Sequence, residues 1–325
     1  MERIDVKNQK ILYYLSLDSR QSFQKIGKMV GLTKEVVSYR IKRLQELGVI
    51  ENFYTSIVLT PLGWKLYIRF YFNFQNINPS VKKEIIQYFV KQDDVIVVAG
   101  LEGSYDLLVI IVCQDLYKIY SFLESMQVKY GDFFKERHAA MYLDRQQYYP
   151  SFLLNEKTKN IEPYTHRDFE LVKFDELDMN ILKALDLNAR IPITQLADRL
   201  HSTVTVMHYR IKRLKKMGVI LGFGVTIKWE LLGYRYYHIA INLKQYNKRP
   251  EIVRYLFENP HFRTIHKLLG HAGDLEVDFI LENVTQLHEL MDSLSNRFPD
   301  SIKDFEYWSI LKVYKEQSLP VSYRC

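Results

Sequence analysis

The sequence predicts an α+β protein made by tandem duplication, in which two small helix-turn-helix units alternate with two βαββαβ domains. Three observations lead there. The hexapeptide Tyr39-Arg40-Ile41-Lys42-Arg43-Leu44 recurs unchanged as Tyr209-Arg210-Ile211-Lys212-Arg213-Leu214, and the same shift of 170 aligns much of the chain. It brings Ile11-Leu12 onto Ile181-Leu182, Arg20 onto Arg190, Gly48-Val49-Ile50 onto Gly218-Val219-Ile220, Leu62-Gly63 onto Leu232-Gly233, Gly100 onto Gly270 and Gly103 onto Gly273. The register slips by two only late, where Tyr130-Gly131-Asp132 matches Phe298-Pro299-Asp300. Each copy then opens with three short stretches of helical periodicity and continues with strand-like and helical stretches in a fixed order.

The first helical stretch carries Ile4, Val6, Ile11, Leu12 and Leu15, repeated as Leu177, Ile181, Leu182 and Leu185. The second carries Phe23, Ile26 and Val30, or Ile193, Leu196 and Leu200. The third opens at Thr33 and Thr203, each able to cap a helix N-terminus. Its apolar positions Val37, Ile41 and Leu44 (Met207, Ile211 and Leu214) fall on one face. Glu35, Tyr39, Lys42, Arg43 and Glu46 point the other way, as do Thr205, Tyr209, Lys212, Arg213 and Lys216. A three-helix unit whose last helix turns Tyr, Lys and Arg outward has the layout of a DNA-recognition head, in which cations meet phosphates and N-terminal residues reach base edges. The candidate DNA-contacting residues are therefore Thr33, Lys34, Ser38, Tyr39, Lys42 and Arg43 in copy one, and Thr203, Thr205, His208, Tyr209, Lys212 and Arg213 in copy two. Arg40 and Arg210 lie toward the core side and are expected to pair with an acidic residue of the first helix. Gly48-Val49-Ile50 and the alternating Phe53 to Leu59 predict a C-cap and then a wing hairpin.

The remainder of each copy predicts β-α-β-β-α-β, a ferredoxin-like split. In copy one the elements are Trp64 to Phe74, Pro79 to Lys91, Asp94 to Ala99, Tyr105 to Cys113, Leu116 to Val128 and Phe134 to Leu143. In copy two they are Tyr234 to Leu243, Pro250 to Glu258, Phe262 to Leu269, Leu275 to Leu281, Val284 to Arg297 and Phe305 to Val313. Two helices cover one sheet face; the other, rich in aromatics, needs a partner sheet, which the second copy supplies within the chain. The expected domains are winged helix-turn-helix 1–60, ferredoxin-like 61–147, a connecting segment 148–173, winged helix-turn-helix 174–230 and ferredoxin-like 231–325.

Bulk properties agree with this reading. The 325 residues suit several compact domains, and 47% hydrophobic with 26% charged residues is an ordinary globular composition. The net charge of +7 favours a polyanionic partner. It is unevenly spread. Residues 33–48 hold four basic and two acidic side chains, formally +2, whereas 203–218 hold five basic and none acidic, formally +5. Cys113 and Cys325 make neither a CxxC motif nor a disulfide framework, and the N-terminus has no apolar secretory core, so a cytoplasmic setting is expected. No nucleophile–base pair, metal-ligand spacing or phosphate-cradling glycine loop is visible. Gly100 to Gly103 joins strand to strand, so no catalytic residue, metal or cofactor is predicted.

These residues resemble the Lrp/AsnC family, the feast/famine transcription regulators of bacteria and archaea. The resemblance is carried by IDVKNQKILYYLSLDSR and FDELDMNILKALDLNAR, by TKEVVSYRIKRLQELGVI and TVTVMHYRIKRLKKMGVI, and by GLEGSYDLLVIIV and GHAGDLEVDFILE. It covers nearly the whole chain, twice. It implies winged heads joined to effector domains that pair face to face, with small molecules, often amino acids, bound near the glycine turn. Carried over by position, Gly100, Gly103 and Asp106 would line that site in copy one, and Gly270, Gly273 and Glu276 in copy two, where Leu275 replaces Tyr105. Glycines at such a turn also serve simply to permit positive φ. The function so implied is sequence-specific binding of double-stranded DNA by a pseudo-dimer contained in one chain, able to assemble further and responsive to a small molecule. Two alternatives stand beside it. Sirohaem decarboxylases resemble such units and would need converging histidines; His138, His261, His266 and His271 are available, without a matching cluster in both copies. A sensing module without DNA binding would be favoured by the acidic Glu35 and Glu46 on the first head.

Overall fold

The computed structural model describes residues 4–154, 161–162, 170–270 and 273–320. His271, Cys325 and half of the expected connecting segment lie outside the described residues. Copy one begins with α1 (Val6–Leu17), α2 (Phe23–Val30) and α3 (Lys34–Glu46), followed by β1 (Ile50–Ile57). Each helix starts where a side chain takes up a free backbone N–H: Asp5 accepts from Asn8, Ser22 from Lys25 and Thr33 from Val36. The α+β domain then runs β2 (Leu66–Phe74), α4 (Pro79–Val90), β3 (Val95–Gly103), β4 (Leu107–Cys113), α5 (Leu116–Tyr130) and β5 (Phe134–Tyr148). A two-residue strand, β6 (Ile161–Glu162), pairs with the end of β5.

Copy two repeats the plan. Its head is α6 (Glu176–Leu187), α7 (Ile193–Arg199), α8 (Val204–Lys216) and β7 (Ile220–Ile227). Its α+β domain is β8 (Arg235–Leu243), α9 (Arg249–Glu258), β9 (Phe262–Gly270), β10 (Leu275–Leu281), α10 (Val284–Arg297) and β11 (Ile302–Glu316).

Within each copy the strand order is that of a ferredoxin-like sheet, β5-β2-β4-β3 and β11-β8-β10-β9, all antiparallel. The two sheets face each other as expected and are also bonded edge to edge. β5 and β11 are longer than the sequence pattern indicates because each serves both sheets. The first half of β5 pairs with β2 and its second half with β9; β11 pairs first with β8 and then with β3. The result is an eight-stranded closed barrel with helices outside, which among the described residues leaves the large sheet without a free edge except at β6. Two cores lie between sheet and helices, one around Phe72, Phe89 and Val109, the other around Ile239, Val277 and Leu287. A third set of side chains fills the barrel itself.

The heads depart from expectation in one respect. The segment read as a wing hairpin is a single strand in each copy, and its partner is the other copy: β1 and β7 form a two-stranded antiparallel ribbon. Among the described residues neither strand closes on a second arm of its own. The pairing carries across to the helices, since Ser19 N–H donates to Phe223 O and Ala189 N–H to Phe53 O, each at a corresponding place in the other copy. Arg20 donates to Ala189 O at 2.6 Å, and Arg190 donates to Ser19 O while lying over the Phe23 ring. The two heads therefore share one continuous core. Among the described residues no helix is long and apolar enough to cross a membrane.

Candidate nucleic-acid interface and effector turns

Thr33 and Thr203 cap α3 and α8 through their hydroxyls, accepting from Val36 N–H at 3.4 Å and Val206 N–H at 3.2 Å. Val37, Ile41 and Leu44 are buried under α3, as are Met207 and Leu214 under α8. This rotation exposes Lys34, Tyr39, Lys42 and Arg43 on one head, and Thr205, His208, Tyr209 and Lys212 on the other. Tyr39 is 69% and Tyr209 65% exposed, large for aromatic side chains. Ser38 is half-buried.

The core-side arginines pair with the first helix of each head. Arg40 meets Asp5 at 2.5 Å, and Arg210 meets Asp175 at 2.6 Å and Asp178 at 3.2 Å. Arg213 is a correction. Expected to point toward DNA, it is half-buried, donating to Asp178 Oδ2 at 2.9 Å and Lys173 O at 2.8 Å. The cause is one residue. Asp178 is fully buried in a capping box with Asp175, and a buried carboxylate needs cations beside it. Copy one has Asn8 at that position, so Arg43 stays exposed and meets Glu46 at 3.5 Å. The cations left outward on α8 are Lys212, Lys215 and Lys216, with Lys215 over the Phe223 ring at 4.6 Å.

The glycine turns are also corrected. Gly103 has φ +119° and Gly270 φ +112°, and each packs against the long closing strand of the adjoining sheet. A Cβ on Gly103 would lie 2.5 Å from Tyr307 O, and one on Gly270 would lie 2.7 Å from Ala139 O. These two are structural counterparts, although the sequence alignment pairs Gly103 with Gly273. Likewise Asp106 accepts from Phe74 N–H at 2.8 Å, and its counterpart is Asp274, which accepts from Leu243 N–H at 2.7 Å. The shorter α9 moves the register before the turn, so β4 starts at Leu107 and β10 at Leu275. Gly100 and Gly273 do not have positive φ, and Glu276 lies inside the barrel rather than at the turn. Gly103→Ala is expected to lower stability by about 2–3 kcal/mol, through positive φ together with a backbone clash. Gly100→Ala, whose Cβ would meet only the Tyr314 ring at 3.2 Å, is expected to cost well under half as much. Chemical denaturation of both variants checks the pair, and equal losses would refute the account.

Inside the barrel one side is aromatic and apolar, with Tyr71 stacked on Tyr105 at 4.6 Å and Trp308 edge-on to both. The other side is ionic. His238 Nδ1 is 2.6 Å from Asp278 Oδ1 and Nε2 is 2.6 Å from Glu276 Oε2; His266 Nε2 is 2.7 Å from Asp278 Oδ2. Arg69 of copy one reaches Glu276 at 3.3 Å and Tyr71 Oη at 2.6 Å. Burial acts to lower the pKa of His238, but the carboxylates of Asp278 and Glu276 outweigh it and raise it. Burial pushes the pKa of His266, which has a single carboxylate contact, down to about 4. Against burial, the imidazoles hold the Asp278 pKa well below its usual value, and His238 and Arg69 lower that of Glu276.

The other described histidines do not join this group. His261 stacks on Phe152 and bonds to Ile280 O, while His138 lies edge-on to Tyr105 and pairs with Glu136 at 3.6 Å. His238 was not singled out by the sequence, yet a signal exists. Glu276 and Asp278 stand two apart in an otherwise apolar strand, which puts both carboxylates on one face.

Comparison with known proteins agrees with the two heads. The AsnC-type helix-turn-helix domain pattern matches residues 4–45, and the winged helix-turn-helix DNA-binding pattern matches 174–220. The HTH-type transcriptional regulator Ptr1 of Methanocaldococcus jannaschii is 31% identical over 129 residues, spanning 38% of this chain and 79% of that protein. The HTH-type transcriptional regulator FL11 of Pyrococcus furiosus is 25% identical over 148 residues, spanning 45% of this chain and 96% of that one. Relatives of this kind match less than half of the chain, as a duplication requires. Among solved structures, the siroheme decarboxylase NirDL superposes on 97% of this chain and 94% of its own, with a TM-score of 0.62 at 11% identity. That likeness shows a shared whole-chain fold.

Proposed function

Because the chain belongs to the Lrp/AsnC family of helix-turn-helix transcription regulators, we propose that it binds operators as a pseudo-dimer with two unequal reading heads. The observation that carries this is the pair of recognition helices, α3 and α8. Each presents an exposed Tyr and Lys at matching positions on heads locked together by the β1–β7 ribbon and the Arg20 and Arg190 contacts. Lys34, Ser38, Tyr39, Lys42 and Arg43 form the first reading surface; Thr205, His208, Tyr209 and Lys212, joined by Lys216, form the second. Since outward residues differ (Glu35 against Thr205, Glu46 against Lys216), the preferred site has two non-identical half-sites. A small-molecule effector, an amino acid by family analogy, would act at the seams beside Gly103 and Gly270, where one copy's turn meets the other's long strand. A cytoplasmic location follows from this role.

Selection of bound fragments from genomic DNA by the purified full chain, with and without amino acids, tests the proposal. Enrichment of a non-palindromic motif is the expected result. Retention of fragments without sequence preference at physiological salt would overturn it, and identical half-sites would refute the unequal heads.

A further inference from the structure

The strand register shows how differently the two copies line the barrel. Arg69 stands opposite Ile110 as His238 stands opposite Asp278, and Ala99 stands opposite Leu108 as His266 stands opposite Glu276. At four equivalent positions, then, copy one has an arginine and three apolar residues, while copy two has two imidazoles and two carboxylates. All four side chains of copy two are buried. The ligating atoms of His238, His266 and Asp278 lie within 4.8 Å of one another, and Glu276 touches His238. His266 Nδ1 is buried with no hydrogen-bond partner.

We infer that the barrel interior binds one divalent transition-metal ion of the zinc type through His238, His266 and Asp278, with Glu276 holding the far nitrogen of the His238 ring. Two imidazoles with one carboxylate are a borderline nitrogen and oxygen set, which suits zinc or cobalt rather than magnesium or calcium. His238 Nδ1 and His266 Nε2 each touch one oxygen of Asp278, at 2.6 and 2.7 Å. Tetrahedral bonds of about 2.0–2.1 Å need neighbouring donors roughly 3.3 Å apart, a small outward step from the present contacts. Supporting groups already orient the ligands. Tyr236 Oη donates to Asp278 Oδ2 at 2.6 Å, Trp308 stacks on the His238 ring with centroids 4.3 Å apart, and Arg69 holds Glu276. Copy one closes the same wall with Ala99, Leu108 and the half-buried Ile110, without the desolvation cost of four ionisable side chains.

The test uses the full chain stripped with a chelator and titrated with Co²⁺, then Zn²⁺. Uptake of one equivalent is expected, with visible Co²⁺ absorption bands that Zn²⁺ abolishes and excess Mg²⁺ does not. The thermal midpoint should rise with Zn²⁺ concentration. His238→Ala and His266→Ala should each weaken binding at least tenfold. His261→Ala should leave it unchanged. His266→Gln, a closer match in volume, covers the case in which the alanine variant fails to fold. Absence of the Co²⁺ bands, or uptake that survives both His266 changes, would overturn the site.

Discussion

Arg69→Met is expected to destabilise the protein by about 3 kcal/mol, measured in the presence of chelator, the largest loss anticipated from any single change in the barrel. Arg69 and Glu276 are both almost fully buried, so their attraction is poorly screened and neither can turn to water once the other is gone. Methionine keeps much of the volume, and the loss therefore reports the charge left behind. Arg69 also donates to Tyr71 Oη and lies over the Tyr142 ring at 4.5 Å, contacts that methionine replaces only in part. The decisive measurement is a double-mutant cycle with Glu276→Leu, which introduces the residue copy one has at the equivalent position, Leu108. The double variant should recover more than half of the loss. Additive losses would mean that Arg69 stabilises the barrel by packing alone. The same arithmetic bears on assembly. Two copies of the second domain would bring four carboxylates into one barrel with no arginine, whereas the fused chain supplies one domain of each kind. The duplication has thus diverged toward mutual dependence, a form of specificity achieved by making the wrong pairing unfavourable.

What could be read from the sequence and what could not divide along the range of the interactions involved. The recognition helices were legible because caps and apolar periodicity are local, and the Arg40 and Arg210 ion pairs followed from which face those residues occupy. The wing was not. A strand's own pattern tells which side is buried but not which strand lies beside it, and Phe53 to Leu59 reads the same whether it folds back or pairs with β7. The lengths of β5 and β11 were short for the same reason, since Gln147 and Lys315 find their partners in the opposite copy. At the glycine turn, identical letters at a constant spacing pointed to Gly273, while backbone conformation singles out Gly270. The fate of Arg213 turned on Asp178 against Asn8, a difference visible in the alignment but connected to Arg213 only by folding. The ionic group in the barrel is not legible as a unit because its members come from three strands of copy two and one of copy one.

That altered role for Arg213 sharpens the expectation for DNA binding. Formal charge alone assigns the greater salt-dependent affinity to α8 through Lys212 and Arg213. With Arg213 held by Asp178, the outward charge is that of Lys212 and Lys216, with Lys215 partly engaged by Phe223. On α3, Lys34 and Lys42 face outward beside Glu35, and Arg43 sits beside Glu46. Lys212→Ala with Lys216→Ala is therefore expected to flatten the plot of log affinity against log salt by about 1.8, the loss of two phosphate contacts at ~0.9 each. Lys42→Ala should flatten it by about 0.9 or less. Arg213→Ala should leave the slope almost unchanged while lowering stability, because it exposes the buried charge of Asp178 rather than a phosphate. Binding titrations on one operator across a range of salt, with denaturation curves for each variant, separate these outcomes. Equal slope changes from the α3 and α8 lysines would remove the case for unequal heads. A slope change from Arg213→Ala as large as that from Lys212→Ala would mean that the Asp178 bridge opens on DNA, and that α8 reads its site with a side chain the free protein keeps folded away.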